Sequence, residues 1–206
     1  VFVAGNQLGW HLSGDAQQEF GPLLVYQEKR SQSGNRVSII DPNADVSPLQ
    51  PGHVRFSGKL DEVPARWMLG GFYHYHAGGP WRLGSSFLYG AGPARNAARL
   101  TPELRYNLQF PHATLSLHAG LVWANQAWNQ AYFGVPAGSV SGLPVYTAQS
   151  GVKDVHLGLN WNWALSSSWL LTNSVKLTHL QGSAANSPLV QRRTSAAFSS
   201  ALAWRF

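Results

Sequence analysis

The sequence predicts an all-β protein, a transmembrane antiparallel β-barrel of about ten strands, and three observations carry that expectation. Charged side chains make up only 12% of the 206 residues, roughly half the usual ~25%. Hydrophobicity does not compensate, since 44% of the residues are apolar. Apolar and polar residues then alternate with period two along most of the chain, as expected of strands whose two faces meet different surroundings.

The alternation is clearest from Val155, where Val155, Leu157, Leu159, Trp161, Trp163 and Leu165 alternate with His156, Gly158, Asn160, Asn162 and Ala164. Leu115, Leu117, Ala119, Leu121 and Trp123 repeat it, as do Leu104, Tyr106, Leu108 and Phe110 against Glu103, Arg105, Asn107 and Gln109. Nine strands follow, at about 1–13, 18–30, 62–77, 81–91, 98–110, 113–125, 152–165, 168–180 and 190–206. These runs exceed the ~5 to 6 residues of an ordinary soluble strand and suit the ~9 to 11 that cross a bilayer at a tilt. A soluble sandwich would set Lys and Glu on its second face. Here Asn, Gln, Ser, Thr, Gly and His stand there. The apolar stripe is therefore expected to face lipid and the polar stripe an enclosed interior.

Aromatic residues fall near the strand ends, so Trp67, Tyr75, Trp81, Tyr89, Trp163, Trp169, Trp204 and Phe206 are expected to form membrane girdles. Arg66, Arg82, Arg99, Glu103, Arg105, Asp154, His156 and Lys176 are expected to form a polar network in the lumen. Two readings of that network stay open: side chains that fill a narrow barrel, or basic groups that favour anions in a small pore.

Tight and longer connections alternate, with short turns at Gly14 to Gln17, Gly78 to Pro80, Pro111 to Ala113 and Ser166 to Ser168. Longer links run through Ser31 to Lys59, Gly92 to Ala97, Gln126 to Ser150 and Gly182 to Leu189. Short turns on one side and long loops on the other fit an outer-membrane barrel. Trp128, Tyr132, Phe133 and Tyr146 in the third link are expected to pack as a lid or to dock a partner. Nine is an odd number, and barrels of this kind close with an even one. A single domain over 1–206, N-terminally truncated, lacking its signal peptide and first strand, is therefore expected.

Other classes are excluded or weak. No stretch approaches the ~18 to 20 apolar residues of a spanning helix. The net charge of +6 comes from scattered Lys and Arg, which form no basic stripe, so no nucleic-acid partner is expected. With no cysteine there is no disulfide and no thiolate site. His74 and His76 share a face, but no carboxylate has ligand spacing to them, so no metal site is expected. Asp154 and His156 also share a face, yet no G-x-S-x-G elbow accompanies them. No catalytic residue and no cofactor are expected.

Tyr132-Phe133-Gly134-Val135, Ser141-Gly142-Leu143-Pro144-Val145-Tyr146 and Gly151-Val152-Lys153-Asp154-Val155 resemble the long-loop region of the MipA/OmpV family, the MltA-interacting outer-membrane proteins. Gln181 to Val190 resembles that family's last loop, with Ser183 and Asn186 where acidic residues are usual. Trp204-Arg205-Phe206 resembles its Tyr-Arg-Phe ending, and Leu60-Asp61-Glu62 leading into Gly70-Gly71-Phe72 fits more loosely. The resemblance implies a bacterial outer-membrane location, outer-membrane lipid as surroundings, and a non-enzymatic scaffold for a murein hydrolase and a murein synthase. A narrow channel for small solutes, or a surface adhesin, is the alternative.

Overall fold

A computed structural model of the chain describes residues 1–12, 17–27, 29, 63–90, 96–137 and 143–204. The Ser31 to Lys59 link, the 14–17 turn short of Gln17, Leu60-Asp61-Glu62, Ser141-Gly142 and the girdle position Phe206 lie outside the described residues.

The fold is all-β. One antiparallel sheet contains ten strands in strict sequence order. They are β1 (Phe2–Ala4), β2 (Gln7–Gly9), β3 (Gln18–Gln27), β4 (Arg66–His76), β5 (Trp81–Gly90), β6 (Ala97–Phe110), β7 (Ala113–Ala124), β8 (Gly151–Ala164), β9 (Trp169–Leu180) and β10 (Thr194–Trp204). A meander of this kind needs only hairpin links, and period-two side chains give it two chemically distinct faces. The sheet curls, since Val63, just before β4, joins a buried cluster with Leu180 at the end of β9. Among the described residues, no helix is long and apolar enough to cross a membrane.

The apolar stripe is the exposed one. Leu104 is 40% exposed, Leu117 46% and Trp161 40%, each on a strand paired on both sides. Burying them would have meant a water-soluble core. The opposite stripe holds Arg66, Asp154 and His156, all buried.

Connections follow the alternation of lengths. Residues 77–80, 111–112 and 165–168 make short turns at one end, and Gly78 (φ 87°) and Gly79 (φ 59°) occupy left-handed backbone that a side chain disfavours. At the other end, the β7–β8 and β9–β10 connections contain helices, α1 (Gln126–Phe133) and α2 (Gly182–Ala185).

Three local features depart from the sequence reading. The segment expected as one strand over 1–13 reverses at Gly5 (φ 57°) and Asn6, so β1 folds back on β2. Gly-Asn is a hairpin signal. Beyond β2 the chain still follows β3, with Trp10 N–H donating to Pro22 O and Leu12 N–H to Phe20 O. The Gln126 to Ser150 link contains a helix, capped by Asn125, whose Oδ1 accepts from Trp128 N at 3.0 Å. Finally, the enclosed face is not wholly polar: Leu23, Val25, Met68, Phe72 and Leu88 form a buried apolar cluster between β3 and β5, with Phe2 packed against it.

Candidate functional site

The enclosed face brings charged groups from five strands into a ladder. At the end with the short turns, Arg82 Nη2 on β5 donates to Glu19 Oε2 on β3 at 2.6 Å. His74 and His76 on β4 flank that carboxylate, each with a ring nitrogen 3.5 Å away. Arg82 and Arg105 are register partners, and Arg105 Nη2 donates to Glu103 Oε1 at 2.8 Å. Above them Glu103 on β6 faces His156 on β8 at 3.8 Å, across the intervening strand β7. The path between them is open because the residue opposite His156 is Gly120. His156 Nδ1 then lies 3.5 Å from Asp154, and Asp154 Oδ2 pairs with Lys153 Nζ at 2.9 Å.

Lys153 and Asp154 are neighbours in sequence, yet both are buried. Regular alternation forbids that. The register between β7 and β8 shifts at Val122/Trp123, where Val122 pairs with Asp154 and Trp123 with Val152, so Lys153 is the extra residue of a β-bulge. Its ammonium lies 4.7 Å from the Trp128 ring centroid, joining the ladder to the loop structure above.

That structure is a cap. Trp128, Tyr132 and Phe133 of α1 pack with Ala184 and Ala185 of α2 and with Val63, Ala97, Ala124, Ala148 and Leu180. Trp128 and Tyr132 stack with centroids 4.2 Å apart. Val135 and Tyr146 pair as an isolated bridge beside them. Ser183 and Asn186, the two positions where the resembling sequences carry acids, are hydrogen-bond acceptors here. Ser183 Oγ accepts from Gln149 N at 2.8 Å, and Asn186 Oδ1 accepts from Arg193 Nη2 at 3.1 Å. Ser187 Oγ donates to Phe133 O at 2.6 Å, tying the β9–β10 connection to the end of α1.

The eight charged residues singled out from sequence fall into three groups. Arg82, Glu103, Arg105, Asp154 and His156 belong to the ladder described above. Arg99 and Lys176 stand within electrostatic reach of Asp154. Arg66 sits apart, with Nε donating to Gln27 Oε1 at 3.2 Å. Glu19 and Lys153 were missed. Glu19 stands in the opposite alternation to the outward aromatics Phe20 and Tyr26, a signal available in the sequence; Lys153 had none, because the bulge depends on the neighbouring strand.

Of the aromatic residues, Tyr75, Trp81, Trp163, Trp169 and Trp204 stand near the short turns, and Trp67 and Tyr89 near the longer links. All are exposed except the half-buried Tyr75. Trp81 pairs with Tyr106 (centroids 4.6 Å apart) and Trp67 with Tyr26 (5.0 Å).

Among the described residues, no group of three or more His, Cys, Asp or Glu is placed to hold a metal ion. The arginine already bonded to Glu19 would oppose a cation there.

A family profile described as MltA-interacting protein MipA matches residues 1–206, the whole chain. The chain belongs to the MipA family. Comparison with curated proteins finds no match. For this MipA-family chain, membership and the ten-stranded antiparallel sheet agree on an all-β architecture. The capped, charge-filled interior is where its side chains converge.

Proposed function

We propose that this MipA-family protein spans the bacterial outer membrane as a closed barrel and serves as a non-enzymatic scaffold for cell-wall enzymes, a murein hydrolase and a murein synthase. The observation that carries the membrane reading is the exposed apolar stripe, in which seven of the nine tryptophans stand open to the surroundings. Monomeric soluble proteins rarely expose contiguous apolar area on this scale. In hydrocarbon the same stripe is matched to its medium, and the aromatic residues near the strand ends serve as the two girdles. The ladder of Arg82, Glu103, Arg105, Asp154 and His156, together with Arg66, Arg99 and Lys176, then fills the lumen.

The scaffold role is supported by the family description, which names interaction with MltA. It is also supported by what the interior is built for. A ladder of paired charges beneath an apolar cap makes a rigid plug, and it weighs against free solute passage and so against the narrow-channel alternative. The short turns face the periplasm in this reading, and the capped end faces outward.

The test is affinity capture of purified murein hydrolase and synthase by the detergent-solubilised protein, alongside conductance in planar bilayers. Saturable binding of either enzyme with a silent bilayer is the expected result. Steady conductance without enzyme binding would replace the scaffold by the channel.

A further inference from the structure

The upper rim of β9 and β10 has a composition the scaffold role does not use. From Tyr106 to Phe206 the sequence contains a single carboxylate side chain, Asp154, and that one is buried against Lys153. The exterior of this half of the molecule therefore carries no acidic side chain. Its cations include Arg192 and Arg193, both exposed, immediately before β10.

Register fixes what lies beneath them. The Leu180 N–H donates to the carbonyl of Arg193. One residue further down, Thr194 pairs with His179, and Thr194 Oγ1 and His179 Nδ1 are hydrogen-bonded at 2.7 Å. His179 in turn pairs with Val155 on β8. The next outward row is Leu157, Leu177 and Ala196, and the one below it holds Val175 and Phe198. Leu157 (61%), Leu177 (47%) and Phe198 (66%) are among the exposed apolar side chains. The rim thus passes from two exposed arginines, Arg192 in the outward alternation of Thr194 and Arg193 bonded to Asn186 beside it, through a hydroxyl and an imidazole, to bare hydrocarbon over roughly 10 Å of strand. That is the profile of an amphiphile with an anionic head and acyl tails.

We infer that the β9–β10 rim is a binding site for a membrane lipid with an anionic phosphomonoester headgroup. Its headgroup is held by Arg192 and Arg193 above the His179–Thr194 pair, and its acyl chains lie on Leu157, Leu177 and Phe198. The inference rests on the membrane reading above and adds a lipid class and a site to it. Guanidinium groups suit phosphate because their planar donor forks match its oxygens, and a surface without carboxylates leaves no internal competitor. Arg193 is steadied by its bond to Asn186 on the turn after α2, so the site is tied to the cap.

The experiment compares the purified protein inserted in phosphatidylcholine vesicles with the same vesicles doped with phosphatidic acid. Lipid retention is read by native mass spectrometry and insertion by heat-modifiable migration. Retained phosphatidic acid in the wild type, lost about 25-fold in R192Q/R193Q at about five-fold per arginine and unchanged in K29Q, an exposed lysine just past the end of β3, is the expected result. Equal loss in K29Q would mean a diffuse charge effect and overturn the site. Displacement by millimolar inorganic phosphate without any acyl-chain dependence would make it a free-anion site and overturn the lipid assignment. Normal insertion with no preference for phosphatidic acid rejects the lipid site while leaving the membrane reading intact. Failure to insert in either vesicle rejects the membrane reading and this site with it.

Discussion

His118 lies against Gly158, its register partner on the neighbouring strand, so closely that a Cβ on the glycine would stand 2.0 Å from His118 Nε2. The relation is reciprocal one row up, where His156 lies over Gly120 and a Cβ there would meet His156 Nε2 at 2.7 Å. The missing side chains are what let imidazoles from adjacent strands share a narrow interior, with ring centroids 6.4 Å apart. They also let His156 reach Glu103 across β7.

The two glycines differ in what surrounds them. At Gly158 the obstacle is the tip of a side chain that can rotate, whereas at Gly120 the carbonyl of Pro102 also stands 2.8 Å away. That oxygen belongs to a paired strand and cannot give. Gly120→Ala is expected to destabilise by about 1–3 kcal/mol, the range for overpacking a filled core, and Gly158→Ala by clearly less. Urea unfolding in detergent micelles checks the order. A larger loss at Gly158 would mean that the His118 ring is fixed more firmly than the backbone.

Asp154 is the acid that the bulge delivers to Lys153, and both side chains are about 5% exposed or less. Removing one member of a buried pair costs about 3–5 kcal/mol, because the other charge stays behind without its counterpart. Asp154→Asn is expected to cost that much. The double variant K153M/D154L is expected to recover part of it, since the stranded Lys153 charge is removed while Arg99 and Lys176 still lose their carboxylate. A double-mutant cycle by denaturant unfolding measures the coupling, and additive losses would show that the 2.9 Å contact contributes little.

Much of this arrangement was legible in the sequence, and the parts that were not share a cause. The run from Leu157 to Trp163 declared its two faces because period two is a property of one strand alone. Loop lengths did the same for the turn at 165–168 and the long link before Gly151. Lys153 could not be placed, since its inward turn is a mismatch between β7 and β8 that neither strand encodes by itself. Glu19 is 63 residues from Arg82, and only strand order makes them neighbours. The α1 helix escaped because Gln-Ala-Trp-Asn-Gln-Ala has little apolar periodicity, although Asn125 offered a cap. Gly5-Asn6 is a turn signal, but it sits inside a run whose alternation continues across it.

Leu117 separates a lipid-facing stripe from a water-facing one. It is 46% exposed in mid-strand on β7, between Tyr106 and Leu159. On a water-exposed sheet, Leu117→Arg would be nearly neutral, as surface substitutions usually fall within about 0.5 kcal/mol. In hydrocarbon near the midplane an arginine costs about 2–4 kcal/mol. Vesicle-folding equilibria are expected to show the larger penalty, with a substitution of the same kind at the turn, Ser167→Arg, showing almost none. Equal and small effects would place the stripe in water.

Glu19 and Arg82 close the turn end of the interior, and their 2.6 Å contact spans from β3 to β5 over the histidines of β4. If the ladder is what blocks the lumen, its two ends contribute unequally. Among the described residues, apolar side chains of α1 and α2 close the capped end, while this ion pair and the imidazoles beside it stand at the turn end. Glu19→Ser with Arg82→Ser removes the pair without leaving an orphaned charge, so the fold is expected to survive. Ion access is then expected to extend inward to Glu103 and Arg105 but not through the cap, and single-channel recordings should stay silent. Adding Trp128→Ala, which takes away the ring beneath which Lys153 sits, is expected to produce measurable conductance. Full conductance from the turn-end double variant alone would show that the cap is not a seal, and silence in the triple variant would place the block in the Glu103–His156–Asp154 segment of the ladder.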